Sequence, residues 1–533
     1  MSFKANHAEY QQLSMMDSFA GLTPRELKFL DKSWAKYFGD YIFPRIDEAP
    51  FAVLYSSKDS RPNCPVNVQV GALMLKELNG MSDDEILQSL LFDVRFQYAL
   101  HTTTYAEQPL SDRTLGRFRE RCASYETETG KDLIGNAMKG ISGQMAEMMK
   151  IDRSLKRMDS MMVASNIKKM SRLELLYTVV ANMVKEAAGK GETLPGGLEH
   201  YTESNDRNIV IYHNRSEETA NRICAILKDA KTLKDFCEPD YDESSNYQML
   251  LRVLREQTVE ENGEYRLRTK EDGGMDSNIV QNPSDPDATF REKAGHEHRG
   301  YVANVVESSG DNGSIIEDFQ FEKNNYSDNA FLKDELEALG RQPDGITIVA
   351  DGAYNGSENQ KLAEENNVTI VNTNLSGRES EDIAADFTFS DDGTSVTACP
   401  GGHAPKSCSY NKVTGQCAMS FHREHCENCP YRGQCRPKEF KKTFRKTLSA
   451  KSRQRAIQQR NRNTDSFRAM SHFRNGVESV PSILRRKYRV DRMPVRGLIR
   501  SRMLFAFKIG AFNFKRFCTY MQSPGLCAIP VKS

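Results

Sequence analysis

Five short apolar runs and two amphipathic stretches between them constrain this chain more than any other feature of its sequence. RMDSMMVAS (157–165), GYVANVVES (300–308) and SIIEDFQFE (314–322) read as strands. The periodic stretch DNAFLKDELEALG then leads into ITIVA (346–350), and SENQKLAEEN leads into the strand VTIVNTN. Strand, two strands, helix, strand, helix, strand is the order of a mixed α/β sheet, with an antiparallel pair and parallel crossovers. Two of these runs carry a carboxylate where apolar residues would pack better: Asp159 inside the first, and Asp351 where ITIVA ends in DGAYNG. Asp351 suits a loop aspartate capping the next helix. The other reading is a carboxylate held at the carboxyl end of a strand to bind a metal.

The sheet segments are a minor part of 533 residues, a length that exceeds one hydrophobic core and predicts several domains. Residues 1–135 read as a helical N-terminal domain. Thr23-Pro24 starts one helix, Gly80 closes another, Ser82 with Glu85 forms a capping box, and Ser111 opens a helix with Arg113, Arg117 and Arg121 four apart. Such an arginine row fits a helix lying along DNA, and fits a solvated face equally well. The sheet segments fall within 150–375, interrupted by a helix-rich insertion at about 172–270. A loop-rich window at 376–437 holds six of the twelve cysteines, and a basic helical segment at 438–520 completes the sheet domain.

Charge is distributed unevenly. The 73 basic and 73 acidic residues cancel overall, yet 436–516 holds 24 Lys and Arg against four Asp and Glu. That imbalance predicts a polyanionic partner, nucleic acid above all. Mean hydropathy of -0.63, the absence of an eighteen-residue apolar run and an N-terminus without an apolar signal core predict a cytoplasmic protein and no membrane partner. Within the cysteine window, Cys426-x₂-Cys429-x₅-Cys435 with Cys399 upstream has the spacing of a closed, structural Zn²⁺ site. Cys408, Cys417, His403, His422 and His425 are spare candidates, and free or oxidised thiols are the alternative. Asp285 and Asp287 in SDPD read as a turn that caps an element.

A third carboxylate, Glu478, stands in FRNGVESVPSILRRKY. On one continuous helix Arg474, Glu478 and Arg485, at i, i+4 and i+11, would lie within about 60° of one another. A salt-bridged surface glutamate explains the same spacing.

Taken in order, these segments resemble a bacterial insertion-sequence transposase with a DDE catalytic domain of the ribonuclease H-like fold. RPNCPVNVQVGALMLKELNGMSDDEILQSLLFDVRFQYAL and LSDRTLGRFRERC are similar to the helical N-terminal domain of that family. RMDSMMVAS resembles its first catalytic strand, NPSDPDATFREKAGHEHRGYVANVVE the segment entering the second strand, and IVADGAYNG the segment of the second acid. FRNGVESVPSILRRKY matches a signature of arginine, three residues, glutamate, six residues and a basic residue, filled by Arg474, Glu478 and Arg485. Ser471 stands where that signature often has tyrosine, and Pro481 follows the acid closely.

The resemblance implies DNA cleavage at transposon ends and strand transfer into target DNA. Two Mg²⁺ (or Mn²⁺) ions about 3.5–4 Å apart serve this chemistry by stabilising both the attacking and the leaving oxygen. Asp159 would bridge both ions, while Asp351 and Glu478 would each hold one. Arg474 and Arg485 would grip phosphates or orient Glu478. Terminal inverted repeats and target DNA are the implied partners, a homodimer on paired ends the implied assembly, and the nucleoid the implied place of work. A catalytically silent DNA-binding derivative and a nuclease without strand transfer are the two alternatives.

Overall fold

The computed structural model describes residues 1–6, 14–58, 60–213, 216–293, 295–373, 380–461 and 464–523, so the first residues of the cysteine window lie outside it. The chain forms two compact units. One comprises Met1–Arg153, Ser160–Ser327 and Val480–Ser533, the other Ser154–Asp159 and Asp328–Ser479. Strand β1 (Leu155–Ala164) belongs to both, its first half in the second unit.

In the first unit, the expected caps form. The Thr23 and Ser82 hydroxyls accept from the backbones of Glu26 and Glu85, whose carboxylates accept in return, and Gly80 closes the helix Val66–Asn79 with a φ of 67°. The arginine helix differs from expectation. It begins at Thr114, because the Ser111 carbonyl and amide are both taken by Thr114, which leaves Arg113 ahead of the helix. Only Arg117 and Arg121 share its face.

These helices gather round Leu498–Met521, which is buried almost throughout. Its Phe505 packs on Phe321, and Lys508 reaches Glu77. Its buried Asn513 exchanges hydrogen bonds with both backbone groups of Ile316 and with Ser142. Asp285 and Asp287 accept from the amides of Gly497 and Leu498, so SDPD caps this helix as its turn chemistry predicts.

Among its described residues the insertion contains four α-helices between Arg172 and Gln257 and the hairpin β2 (Thr258–Glu261)–β3 (Glu264–Leu267). It has its own apolar cluster, running from Leu173 to Val280. Strands β4 (Thr289–Lys293), β5 (His296–Gly310) and β6 (Gly313–Lys323) then form an antiparallel meander. Gly300 lies so close to Val163 and Ser165, at the end of β1, that a Cβ there would overlap their backbone.

In the second unit the first half of β1 runs parallel to β7 (Ile346–Ala350), and β7 runs parallel to β8 (Val368–Asn372). Helix Ser357–Glu365 makes the crossover and packs beside Asp328–Leu339 through Asn359 and Asn366. The cysteine window is not the loop-rich segment expected. It holds the pair β9 (Thr388–Phe389)–β10 (Val396–Ala398) and two strands of a four-stranded antiparallel sheet. That sheet comprises β11 (Ser407–Asn411), β12 (Gln416–His422), β13 (Lys438–Glu439) and β14 (Thr443–Leu448), in the order β11-β12-β14-β13. Cys417, Met419 and Phe421 alternate inward along β12 and join Phe387, Phe444 and Leu448 in a separate core. Among the described residues, no helix is long and apolar enough to cross a membrane.

Candidate active site

The two aspartates meet through strand register. Leu155 pairs with Thr347 and Arg157 with Val349 on the parallel neighbours β1 and β7. Carried two residues further, the same offset sets Asp159 opposite Asp351, one residue past the end of β7. Paired residues on adjacent parallel strands point to one face and sit about 4.8 Å apart along the hydrogen-bonding direction. Both aspartates are partly exposed at this edge. Asp351 also performs the modest role considered for it. Its Oδ1 accepts from the Gly352 amide at 2.6 Å and it caps the short 3₁₀ turn Gly352–Tyr354, which the buried Tyr354 anchors.

The third acid arrives on a broken helix. Helix Asp465–Asn475 packs against β7, the turn Gly476–Glu478 is 3₁₀, and a separate helix Ser479–Arg486 follows. A single helical face shared by Arg474, Glu478 and Arg485 therefore does not exist. Pro481 has no amide to donate to the Val477 carbonyl, and its ring crowds the preceding turn, so an α-helix cannot run through this point. As the third residue of the new helix it is tolerated.

Arg474 joins the acids. Its side chain is only 9% exposed and lies 3.5 Å from Asp159 and 3.1 Å from Glu478, which is 59% exposed. A guanidinium is permanently charged and can meet two carboxylates at once, so Arg474 bridges Asp159 and Glu478. Arg485 is placed differently. It lies in the first unit, donating to the Met162 carbonyl at 2.8 Å and pairing with Asp491 at 3.1 Å.

By sequence Arg157 and Lys156 stand beside Asp159 as candidates for holding substrate, with no direction fixed for either. Arg157 is buried on β1, two residues before Asp159. Its Nη1 donates to the Phe473 carbonyl at 2.8 Å and its guanidinium lies 5.2 Å from the Phe473 ring. A Cβ at Gly476 would overlap that guanidinium. Arg157 thus fastens the end of the helix carrying Arg474 to the strand carrying Asp159.

The four cysteines with zinc-like spacing line one cavity of about 20 Å³, together with His425. The Sγ atoms of Cys429 and Cys399 lie 3.4 and 3.7 Å from the Cβ position of Gly401. Burial raises the Cys426 thiol, as do neighbouring Cys399 and Cys429; burial pushes Cys435 up to about 11. The Nδ1 of His425 is buried with no hydrogen-bond partner, and its ring stacks 4.2 Å from His403. Cys417 instead fills the core and points at the Thr394 carbonyl, 3.3 Å away, while Cys408 pairs across the sheet with Met419. Among the described residues, no group of three or more His, Cys, Asp or Glu side chains is arranged to hold a metal ion as the side chains stand.

The N-terminal arginines lie in the first unit. Arg117 and Arg121 line a cleft of about 530 Å³ with Arg61, a cation the helix periodicity does not reveal. Arg121 sits 5.2 Å from the Tyr55 ring, and Arg113 is exposed.

Two segments match known family models. Residues 35–121 match the Transposase domain (DUF772), and residues 398–518 match the Transposase DDE domain. The first match includes Arg113, Arg117 and Arg121; the second includes Arg474, Glu478, Arg485 and all four cavity cysteines, but neither aspartate. No curated protein and no solved structure matches the chain.

Proposed function

We propose, from the premise that this chain carries the domains of an insertion-sequence transposase with a DDE domain, that it cleaves DNA at transposon ends and transfers the freed strand into target DNA. The observation that carries the reading is the register that sets Asp159 beside Asp351, with Arg474 linking Asp159 to Glu478. A ribonuclease H-like core is part of the proposal. The parallel run of β1, β7 and β8, with a helix crossing from β7 to β8, supports that topology.

Asp159, Asp351 and Glu478 offer hard oxygen donors at a solvent-reachable strand edge, a donor set that fits Mg²⁺ or Mn²⁺. Bound there, the ions would activate the attacking oxygen and stabilise the leaving one. The protein's own residues supply the positioning. Gly352 fixes the Asp351 carboxylate, Arg474 pairs with both Asp159 and Glu478, and Arg157 fastens the helix carrying Arg474 to β1. Arg117, Arg121 and Arg113, with Arg485, would contact the phosphates of the terminal repeats or target, and paired ends call for a homodimer. DNA as the partner places the work at the nucleoid in the cytoplasm.

Cys399, Cys426, Cys429 and Cys435 would hold a structural Zn²⁺. Four thiols facing one ion-sized cavity fit it, as does the orphaned His425 nitrogen beside them. Purified protein is expected to contain about one zinc per chain, and chelation should expose 380–448 to limited proteolysis. Zinc-free protein whose protease resistance is indifferent to chelator would rule the site out.

The function is tested by incubating the protein with a cognate end, Mg²⁺ and a target plasmid. Joined product is expected. Binding without cleavage would leave a silent DNA-binding derivative, and nicks without joining would leave a nuclease.

A further inference from the structure

The outward face of the four-stranded sheet is built unlike its inward one. Strands β13 and β14 form a hairpin closed by the Phe440 amide donating to the Thr443 carbonyl at 2.8 Å, with Lys441 and Lys442 at the tip. Lys438 and Arg445 are directly paired across it. Two like charges opposite one another destabilise a sheet. Phe440 offsets part of that cost, because its ring lies 4.6 Å from the Arg445 guanidinium and 5.9 Å from Lys438 Nζ. The outcome is a cation pair held in place rather than allowed to drift apart.

Neighbouring positions on the same face are small and polar. Arg445 pairs with Ser420, which pairs with Ser407, and Thr447 pairs with Ala418, which pairs with Ser409. No outward position on these four strands is a carboxylate. The one acid of the hairpin, Glu439, is paired with the buried Phe444 and engages Arg423 and Arg432. Among the described residues, Lys438, Lys441, Lys442 and Arg445 form no ion pair with a carboxylate.

Cations kept together at a cost to the fold, without acids and among hydroxyl groups, suit a row of phosphates. We propose that this face, centred on the Lys438–Arg445 pair, is a DNA-backbone contact surface of the cysteine-rich domain. It rests on the transposase reading, and adds a place where duplex DNA is held apart from the acids that would cut it. The contacts are to phosphate and so independent of base sequence.

The test uses the full chain with Lys438→Gln, Lys441→Gln, Lys442→Gln and Arg445→Gln combined. Binding to a fluorescent 30-base-pair duplex of unrelated sequence is followed by anisotropy across NaCl concentrations, with no divalent metal added. Four lost phosphate contacts should weaken binding at least about tenfold at 100 mM salt and flatten the slope of log K against log [salt] by about 3.5. The melting temperature should stay level or rise, since a repulsive pair is removed. If the quadruple variant misfolds, the tip pair Lys441→Gln with Lys442→Gln should still flatten the slope by about two. Unchanged affinity and slope would overturn the proposal, as would loss of binding to a 30-nucleotide RNA with the duplex unaffected. A variant that binds like wild type, while wild type still joins ends to target, defeats this surface alone. Wild-type protein that binds no duplex defeats the transposase reading with it.

Discussion

Asp351→Asn is expected to abolish Mg²⁺-dependent nicking, by at least about 10³-fold, while DNA affinity stays within about twofold. Asparagine keeps the size of the side chain and an oxygen that can accept from the Gly352 amide, so the 3₁₀ turn and the end of β7 should persist. Only the charge is lost, and a neutral amide binds a hard divalent cation far more weakly than a carboxylate. Asp159→Asn should be equally inactive but less clean, because Arg474 would lose one of its two carboxylate partners. Comparing the two separates loss of charge from loss of organisation. Equal melting temperatures for wild type and Asp351→Asn, with a lower one for Asp159→Asn, is the expected pattern. Nicking by Asp351→Asn at the wild-type rate would remove this residue from the site.

What could be read from the sequence was local. Thr23, Ser82 and Gly80 act within a turn of themselves, and the apolar runs around Asp159 and Asp351 are strands because they are buried in a sheet. Their being neighbours depends on which strands pair, and no periodicity carries that information. In the cysteine window a local signal was present and outweighed. In QCAMSFH the large apolar residues Met419 and Phe421 continue an alternation that Cys417 begins, with only the small Ala418 out of step, but read as thiols the cysteines drew the segment toward loops and ligands. The break at Gly476 failed for the opposite reason. Glycine and proline stand five residues apart there, yet FRNGVESVPSILRRKY keeps a helical spacing of charges straight through them. The N-cap of the arginine helix slipped by two residues, from Ser111 to Arg113, because Thr114 competes with Ser111 for the same turn.

Gly476→Ala shows how far that break depends on a distant residue. By intrinsic propensity the change should help, since alanine is favoured over glycine in a helix by about 1 kcal/mol, and the Asn475 and Ser479 backbones flanking the turn are helical. The new methyl, however, would occupy the space of the Arg157 guanidinium. Moving that group breaks a charged hydrogen bond to Phe473 and uncovers its ring, a loss of about 1.5–3 kcal/mol that exceeds the gain. Gly476→Ala should therefore lower stability by about 0.5–2 kcal/mol, the difference of the two terms. Because Glu478 lies two residues on, a shift on the order of 1 Å should also slow nicking by about 10²-fold. The deciding measurement is a double-mutant cycle in melting temperature. With Arg157→Ala already in place the obstacle is gone, and the second change should cost nothing or stabilise, giving a coupling of at least about 1 kcal/mol. Nicking should stay low in both backgrounds, since removing Arg157 frees the helix that Gly476→Ala displaces. Penalties that simply add would mean that Arg157 does not fill the space beside Gly476, and the fastening of Glu478 to β1 would have to come from elsewhere.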